Sequence, residues 1–228
     1  MISPNSYSVT SSVGDIFLAP YDESHLQAAL PVPDSLLVHV ADASRPFYKN
    51  KDHALLMWGE EGLVDTATWG IFTSFTRSPD VFAGTISVSA SETESESGEI
   101  CSTLFAQEIS RQIFRSNLQG KGLGTLANLA ISQIVFGQET KVLYASTSDN
   151  NQPAQRSLAK SGFVHLSTDE HRDTTIDGQT AKMQQWWLAS AQGLSAFSGM
   201  ERSLVTAGYD VYARASAGVE VRKIGLKR

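Results

Sequence analysis

The stretch Gln119-Gly120-Lys121-Gly122-Leu123-Gly124-Thr125 carries three glycines at alternate positions. It runs directly into Leu126-Ala127-Asn128-Leu129-Ala130-Ile131-Ser132-Gln133-Ile134-Val135-Phe136, an apolar, glycine-free run with helical spacing. A glycine-rich turn feeding a helix N-terminus leaves several backbone N–H groups without intrahelical partners, pointing the same way at the positive end of the helix dipole. Such a turn is an anion cradle. Glycine suits it because a Cβ would keep a phosphate from the backbone, and because some of these positions require φ > 0. An ordinary turn before a core helix could use the same residues, so the flanking sequence has to decide.

Upstream, Glu108-Ile109-Ser110-Arg111-Gln112-Ile113-Phe114-Arg115 alternates at Ile109, Arg111 and Ile113, consistent with a strand entering the glycine turn. Downstream of the helix, Lys141-Val142-Leu143-Tyr144-Ala145-Ser146-Thr147 reads as a second strand. Strand, turn, helix, strand is a βαβ unit with a right-handed crossover, its strands parallel or splayed apart. Ser148 to Pro153 then start a helix with proline in its first turn, Ser161-Gly162 end it, and Phe163-Val164-His165-Leu166 open another strand. Asp177-Gly178 marks a turn, and Met183-Gln184-Gln185-Trp186-Trp187-Leu188 returns as its hairpin partner.

Before this unit, Thr66–Phe75 and Val81–Val88 are β-branched and aromatic runs around Arg77-Ser78-Pro79-Asp80, a hairpin. Ile16–Pro20 is a short strand, and Asp22-Glu23-Ser24 caps a helix through Leu30 that Pro31 and Pro33 close. Helices are expected near Leu36–Ala43 and Ala54–Trp58, and Ser91–Glu99 is an acidic Ser/Glu run read as a solvated loop. Residues 1–13, rich in Ser, Asn and Thr, read as a flexible tail. Residues 14–190 form the main domain. Residues 191–228 read as an extension, with a short helix at Met200–Thr206 and a hairpin of Tyr209–Arg214 with Val219–Ile224, packed on the same domain or at an interface. That leaves room for a homodimer.

The totals narrow the function classes. With 228 residues the chain can bury about 70% of its unfolded surface without a metal or disulfide staple. Its one cysteine, Cys101, excludes an intrachain disulfide framework and a cysteine-rich zinc site, so reduced, cytoplasmic surroundings fit. No basic-then-apolar leader or bilayer-length run occurs, which argues against a membrane. A net charge of -6 argues against general nucleic-acid binding and suits a cationic or amine-bearing partner.

These residues resemble the GNAT superfamily of acyl-CoA-dependent N-acyltransferases, over about residues 15–190. The family's cofactor motif Q/R-x-x-G-x-G/A is met by Gln119, Gly122 and Gly124. A second family feature, an Asn, then Ala or Ser, then Gly-Phe, is met by Asn151, Ala154 and Gly162-Phe163. Glu108-Ile109 before the loop is similar to the branch that acetylates protein N-terminal amines, including those of ribosomal proteins. The resemblance implies an α/β fold with a mixed, centrally splayed β-sheet flanked by helices. It also implies N-acetyl transfer from acetyl-CoA to a primary amine by direct attack. The amides of Gln119, Gly120, Lys121, Gly122, Leu123, Gly124 and Thr125 would bind the CoA pyrophosphate. The strand ending at Ile113, Phe114 and Arg115 would hydrogen-bond the pantetheine arm, and Asn151 would contact it.

The catalytic roles carry over less directly. The family's general-acid tyrosine falls on Leu158, and its glutamate base on Ser146. Ser157 is the neighbouring hydroxyl able to protonate the leaving thiolate, and Glu108 the carboxylate best placed to take the amine's proton if burial raises its pKa. His165 is a lesser base candidate, and Trp186 and Trp187 either line an acceptor pocket or pack the sheet. Three other readings stay open. They are transfer of another acyl or an aminoacyl group, a non-catalytic module binding CoA or a protein, and a nucleotide site. The last lacks the Ser/Thr after Gly-Lys and the first glycine of a Walker loop.

Overall fold

The computed structural model describes residues 5–20, 66–73, 81–90, 106–113, 118, 120–138, 140–176 and 179–224. The expected helices between 22 and 58, the acidic run at 91–99, Cys101, both hairpin turns at 77–80 and 177–178, and Phe114, Arg115 and Gln119 lie outside the described residues.

The described chain folds as β1 (Tyr7–Ser11), β2 (Gly14–Pro20), β3 (Thr66–Thr73), β4 (Val81–Ala90), β5 (Ala106–Ile113), α1 (Leu123–Phe136), β6 (Val142–Ser148), α2 (Gln152–Lys160), β7 (Val164–Ile176), β8 (Gln179–Ala189), a 3-10 turn (Gly193–Ala196), α3 (Gly199–Ser216) and β9 (Val219–Lys223). All nine strands join one mixed sheet in the order β7-β8-β6-β5-β4-β3-β2-β1-β9. Every neighbouring pair is antiparallel except β5 with β6. No helix among the described residues is long and apolar enough to cross a membrane.

Alternation turns one sheet face inward. Val9, Ile16, Leu18, Trp69, Ile71, Ile86 and Val88 are buried, and α1 lies over them with Leu126, Ala127, Ala130, Ile131 and Val135 in the same core. Ala127 and Ala130 are fully buried, and such small side chains let a helix approach a sheet closely. A second cluster forms around Val142, Ala189, Phe197 and Val205, with Trp187 packed against it.

Two expectations are corrected. The N-terminal segment is not a loose tail from residue 5 onward: Tyr7–Ser11 is a strand between β2 and β9, with Tyr7 and Val9 buried, and Trp69 Nε1 donates to the Asn5 carbonyl (2.9 Å). Its Ser/Thr content hid a period of two whose apolar members suffice once two neighbours supply hydrogen bonds. The C-terminal hairpin is also absent. Residues 199–216 form a single helix, and β9 pairs with β1. Buried Val205, Gly208 and Tyr212 repeat at helical spacing, and that packing overrides the strand propensity of Tyr209–Tyr212.

Close contacts seat α3. Gly162, in the left-handed region at φ 90, ends the α2 segment, and Gly208 lies against it. A Cβ on Gly208 would overlap the Gly162 carbonyl oxygen, and one on Gly162 would stand 2.6 Å from Tyr212 Cβ. Tyr212 meets Phe136 edge-on at 5.6 Å, and burial, with Tyr209 beside it, pushes its hydroxyl up to about 12, so it stays neutral. Gln133 Nε2 donates to the carbonyls of Ser216 (3.0 Å) and Val219 (3.1 Å), joining α1 to the last turn of α3 and to β9. A mid-helix glycine normally costs a helix about 1 kcal/mol relative to alanine, so Gly208 is explained by this approach. We expect Gly208→Val to destabilise the fold by about 1–3 kcal/mol despite its better helix propensity. Thermal unfolding followed by circular dichroism should register that loss as a lower Tm; an unchanged Tm would mean that α3 is not seated there.

Candidate functional site

The site is built on the one parallel strand pair among the described residues. β5 and β6 are paired only at Ala106↔Val142, Gln107↔Leu143 and Glu108↔Tyr144. Beyond that point β5 stays with β4 as far as Gly84↔Ile113, while β6 stays with β8 as far as Ser148↔Met183. The strands therefore diverge from an apex at Glu108 and Tyr144 into a wedge whose two walls present main-chain edges. Ile113 ends one wall, and Ser146 to Ser148 end the other.

The glycine turn and the α2 start belong to the segments leaving these walls. Gly120 (φ 72) and Gly122 (φ 82) are both left-handed, and a Cβ on either would meet nothing within 4 Å. Gly122 is the N-cap of α1 and has no side chain to cap it; no acidic residue occupies the first turn, and the first helical bond runs from Leu126 N–H to the Gly122 carbonyl (2.9 Å). The positive end of α1 therefore has no carboxylate of its own in that turn, and open space lies over the glycines. Lys121 between them is exposed. These features fit a bound pyrophosphate.

Across the turn, Thr125 Oγ1 lies 3.1 Å from Ser157 Oγ, tying the first turn of α1 to α2. Ser161 Oγ donates to the Ser157 carbonyl at 2.8 Å. Asn151 is the N-cap of α2, its Oδ1 accepting from Ala154 N–H (3.2 Å), with Pro153 in the first turn. The preceding rim is rigidly bonded. Ser148 Oγ donates to Asn150 Oδ1 (2.6 Å), Gln155 Nε2 donates to the carbonyls of Ser148 (3.0 Å) and Asp149 (2.8 Å), and Asp149 exchanges bonds with the Lys182 backbone.

The remaining candidates sort by position. Glu108 stands at the apex of the wedge by register. Leu158 is 5% exposed and packs in the main core. His165 is exposed, with Nε2 3.2 Å from Thr168 Oγ1 and its ring beside Trp186 at 5.6 Å, and it sits on β7, two strands from the wedge. Trp187 packs on Tyr144 (5.3 Å) and Phe197 (6.2 Å), and Trp186 on the main core. The sequence reading missed the bonded rim of Ser148, Asp149, Asn150 and Gln155. The run Asp149-Asn150-Asn151 hinted at it, but its partner Lys182 is too distant in sequence to be read.

Comparison with known proteins agrees with this geometry. A family model described as an acetyltransferase (GNAT) domain matches residues 17–164. No curated protein matches. Among solved structures, the Mycobacterium smegmatis RimJ in complex with CoA-disulfide is similar with a TM-score of 0.60 at 15% identity, over 95% of this chain and 97% of that one. A GNAT-family acetyltransferase from Bacillus anthracis gives 0.57 at 10% identity, over 80% and 98%. The spermidine N-acetyltransferase from Vibrio cholerae in complex with CoA and spermine gives 0.55 at 14% identity, over 78% and 98%. With a family match across well over half of its length and the splayed sheet of that fold, this chain belongs to the GNAT family of acyl-CoA-dependent N-acyltransferases.

Proposed function

We propose that this protein transfers an acetyl group from acetyl-CoA to a primary amine on a small molecule or a peptide. The observation that carries this reading is the wedge between β5 and β6, with an uncapped helix N-terminus leading out of it. The first-turn amides of α1 and the glycine turn would hold the pyrophosphate. The open edge of β5 toward Ile113, with Phe114 and Arg115 beyond it, would bond the pantetheine amides in the manner of an added strand, and a main-chain N–H there would polarise the thioester carbonyl. Asn151 spends its carbonyl oxygen on capping α2, so its amide NH2 is the group it would offer to the arm.

In the reaction, the neutral amine nitrogen attacks the thioester carbonyl carbon, the C–S bond breaks, and the amide forms without a covalent enzyme intermediate. Glu108 at the apex would take the proton that the amine must lose, directly or through water. Ser157 would deliver a proton to the thiolate and take one back from solvent water, so that its hydroxyl acts as a relay held in place by the contact with Thr125. The acidic net charge favours a cationic acceptor. The Vibrio cholerae neighbour acts on spermidine, and protein N-terminal amines are the acceptors of the branch that Glu108-Ile109 resembles. Polyamines and peptides with free N-termini are therefore the acceptor classes to try first. Burial of Leu158, where relatives use a tyrosine, favours a second reading, a CoA-binding module without turnover.

Calorimetric titration with acetyl-CoA, followed by thiol release against a panel of polyamines, amino sugars and free-N-terminus peptides, separates these readings. We expect binding and acceptor-dependent release of free CoA. Binding without release would favour the module, and no binding at about millimolar donor, the weak end of specific affinity, would sink both. Gly122→Asp should reduce CoA affinity at least about tenfold, because a carboxylate at the helix N-terminus repels phosphate; at φ 82 the side chain is strained, although Asp is among the residues that tolerate the left-handed region best, so the Tm should fall modestly while the native circular dichroism spectrum is kept. Unchanged affinity would show the turn to be only a turn. For Glu108→Gln the expectation is a kcat lower by about 10²-fold with CoA affinity retained, in the range that general-base removal produces. A kcat that does not move would transfer the base role elsewhere.

A further inference from the structure

The nine-stranded sheet ends on β9, and among the described residues no strand lies beyond it. We propose that a second copy of this chain pairs with β9, antiparallel and centred on Val221, so that two sheets continue into one another across a twofold axis. This inference rests on the edge alone and is independent of the acetyl-transfer reading.

Hydrogen-bond parity says which groups face outward. Ile224 N–H donates to the Ser6 carbonyl (2.9 Å), one step beyond the register Lys223↔Tyr7. In an antiparallel ladder bonded pairs alternate, so Arg222↔Ser8 and Glu220↔Thr10 exchange bonds with β1. Val219, Val221 and Lys223 then turn their N–H and C=O groups away from β1. The Val219 carbonyl already accepts from Gln133 Nε2. Val221 thus presents its donor and its acceptor at the middle of the edge, as a self-paired residue on a twofold axis requires.

The sequence of β9, Val-Glu-Val-Arg-Lys, is complementary to itself in that register. Antiparallel pairing about Val221 sets Glu220 opposite Arg222 of the second copy, and Arg222 opposite Glu220 of the second copy. Edge strands that avoid partners carry charges that repel a like edge. Here the signs are opposite and already attract within one strand, where Arg222 Nη2 lies 2.7 Å from Glu220 Oε1 with both side chains well exposed (72% and 56%). The cross-strand arrangement offers each charge a second partner of opposite sign.

Apolar groups flank the same edge. Val219 and Val221 are half-buried against the core on the α1 side, so pairing would extend that core across the axis. Val13, 69% exposed, lies on the β1–β2 turn at the Val219 end, and Ile224, 38% exposed, lies at the other end. Antiparallel pairing brings Ile224 of the second copy to the end that carries Val13. The described residues expose four large hydrophobic side chains, and two of them bracket this five-residue strand.

Sedimentation velocity on the full chain tests the proposal. With so short an edge the association belongs to the small, transient class, so the dimer fraction should rise across about 1 to about 300 micromolar protein. Val221→Pro removes an outward N–H that β1 does not use, a place where edge strands accept proline. It should sediment as monomer throughout while retaining the native circular dichroism spectrum. Glu220→Arg and Arg222→Glu should each be monomeric alone, since each sets like charges opposite one another, and should form a dimer when mixed in equal amounts. A wild-type monomer at every concentration would overturn the proposal, as would a dimer that survives in folded Val221→Pro. Charge variants that fail to dimerise when mixed, alongside a wild-type dimer, would overturn the register. If Val221→Pro loses its fold, the mixing experiment decides.

Discussion

Everything about the site follows from a parallel strand pair that is allowed to form for three residues and no further. β5 is held along its length by β4, and β6 along its length by β8. Each strand is therefore stable without the other, and the sheet can tolerate a gap across which, among the described residues, no strand pairing runs beyond Glu108 and Tyr144. Main-chain groups without a partner would be costly if buried dry. On an open wedge they are available to a ligand that itself carries amides. The only parallel contact among the described strands is thus also the place where the sheet can come apart without losing either half.

The second constraint is the seating of the helices that meet at the wedge. α1 begins at the glycine turn, α2 begins at the bonded rim of Ser148 to Asn151, and the two touch through Thr125 and Ser157. α3 holds the far end of α2 in place through the close approach of Gly208 to Gly162. Gln133, on the same helix that the glycine turn starts, fastens the end of α3 and the start of β9. The extension after residue 190 is in this sense part of the frame around the wedge, although no residue of it reaches the glycine turn by any described bond.

The glycine turn, the β5–α1–β6 unit and the capped α2 are legible in the sequence because each rests on local signals: alternate glycines, a switch from period two to helical spacing, and Asn-x-Pro ahead of a glycine stop. The splay of β5 from β6 is implied only by the family resemblance, because it is set by the partners β4 and β8. What was not legible depends on partners distant in the chain. Tyr7 and Val9 look like scattered apolar residues in a Ser/Thr tail until β9 closes over β1. The stretch Tyr209–Tyr212 favours a strand by composition, and only the buried face of α3 against Gly162 and Phe136 makes it helical. Leu158 and Ser146 were recognised as departures from the family pattern, but a sequence cannot show that Leu158 is needed by the core, which is where its side chain lies.

The position of β1 has a consequence for how the chain folds. Val9 is paired with Val221, more than two hundred positions later, and β1 lies between that partner and β2. During synthesis β1 and β2 can form their hairpin early, but the other edge of β1 stays unpaired until Val219–Lys223 has emerged. Contacts of such sequence separation close late, after the entropy of a very long loop has been overcome. The sheet should therefore be completed from its middle outward, with the two ends of the described chain meeting last.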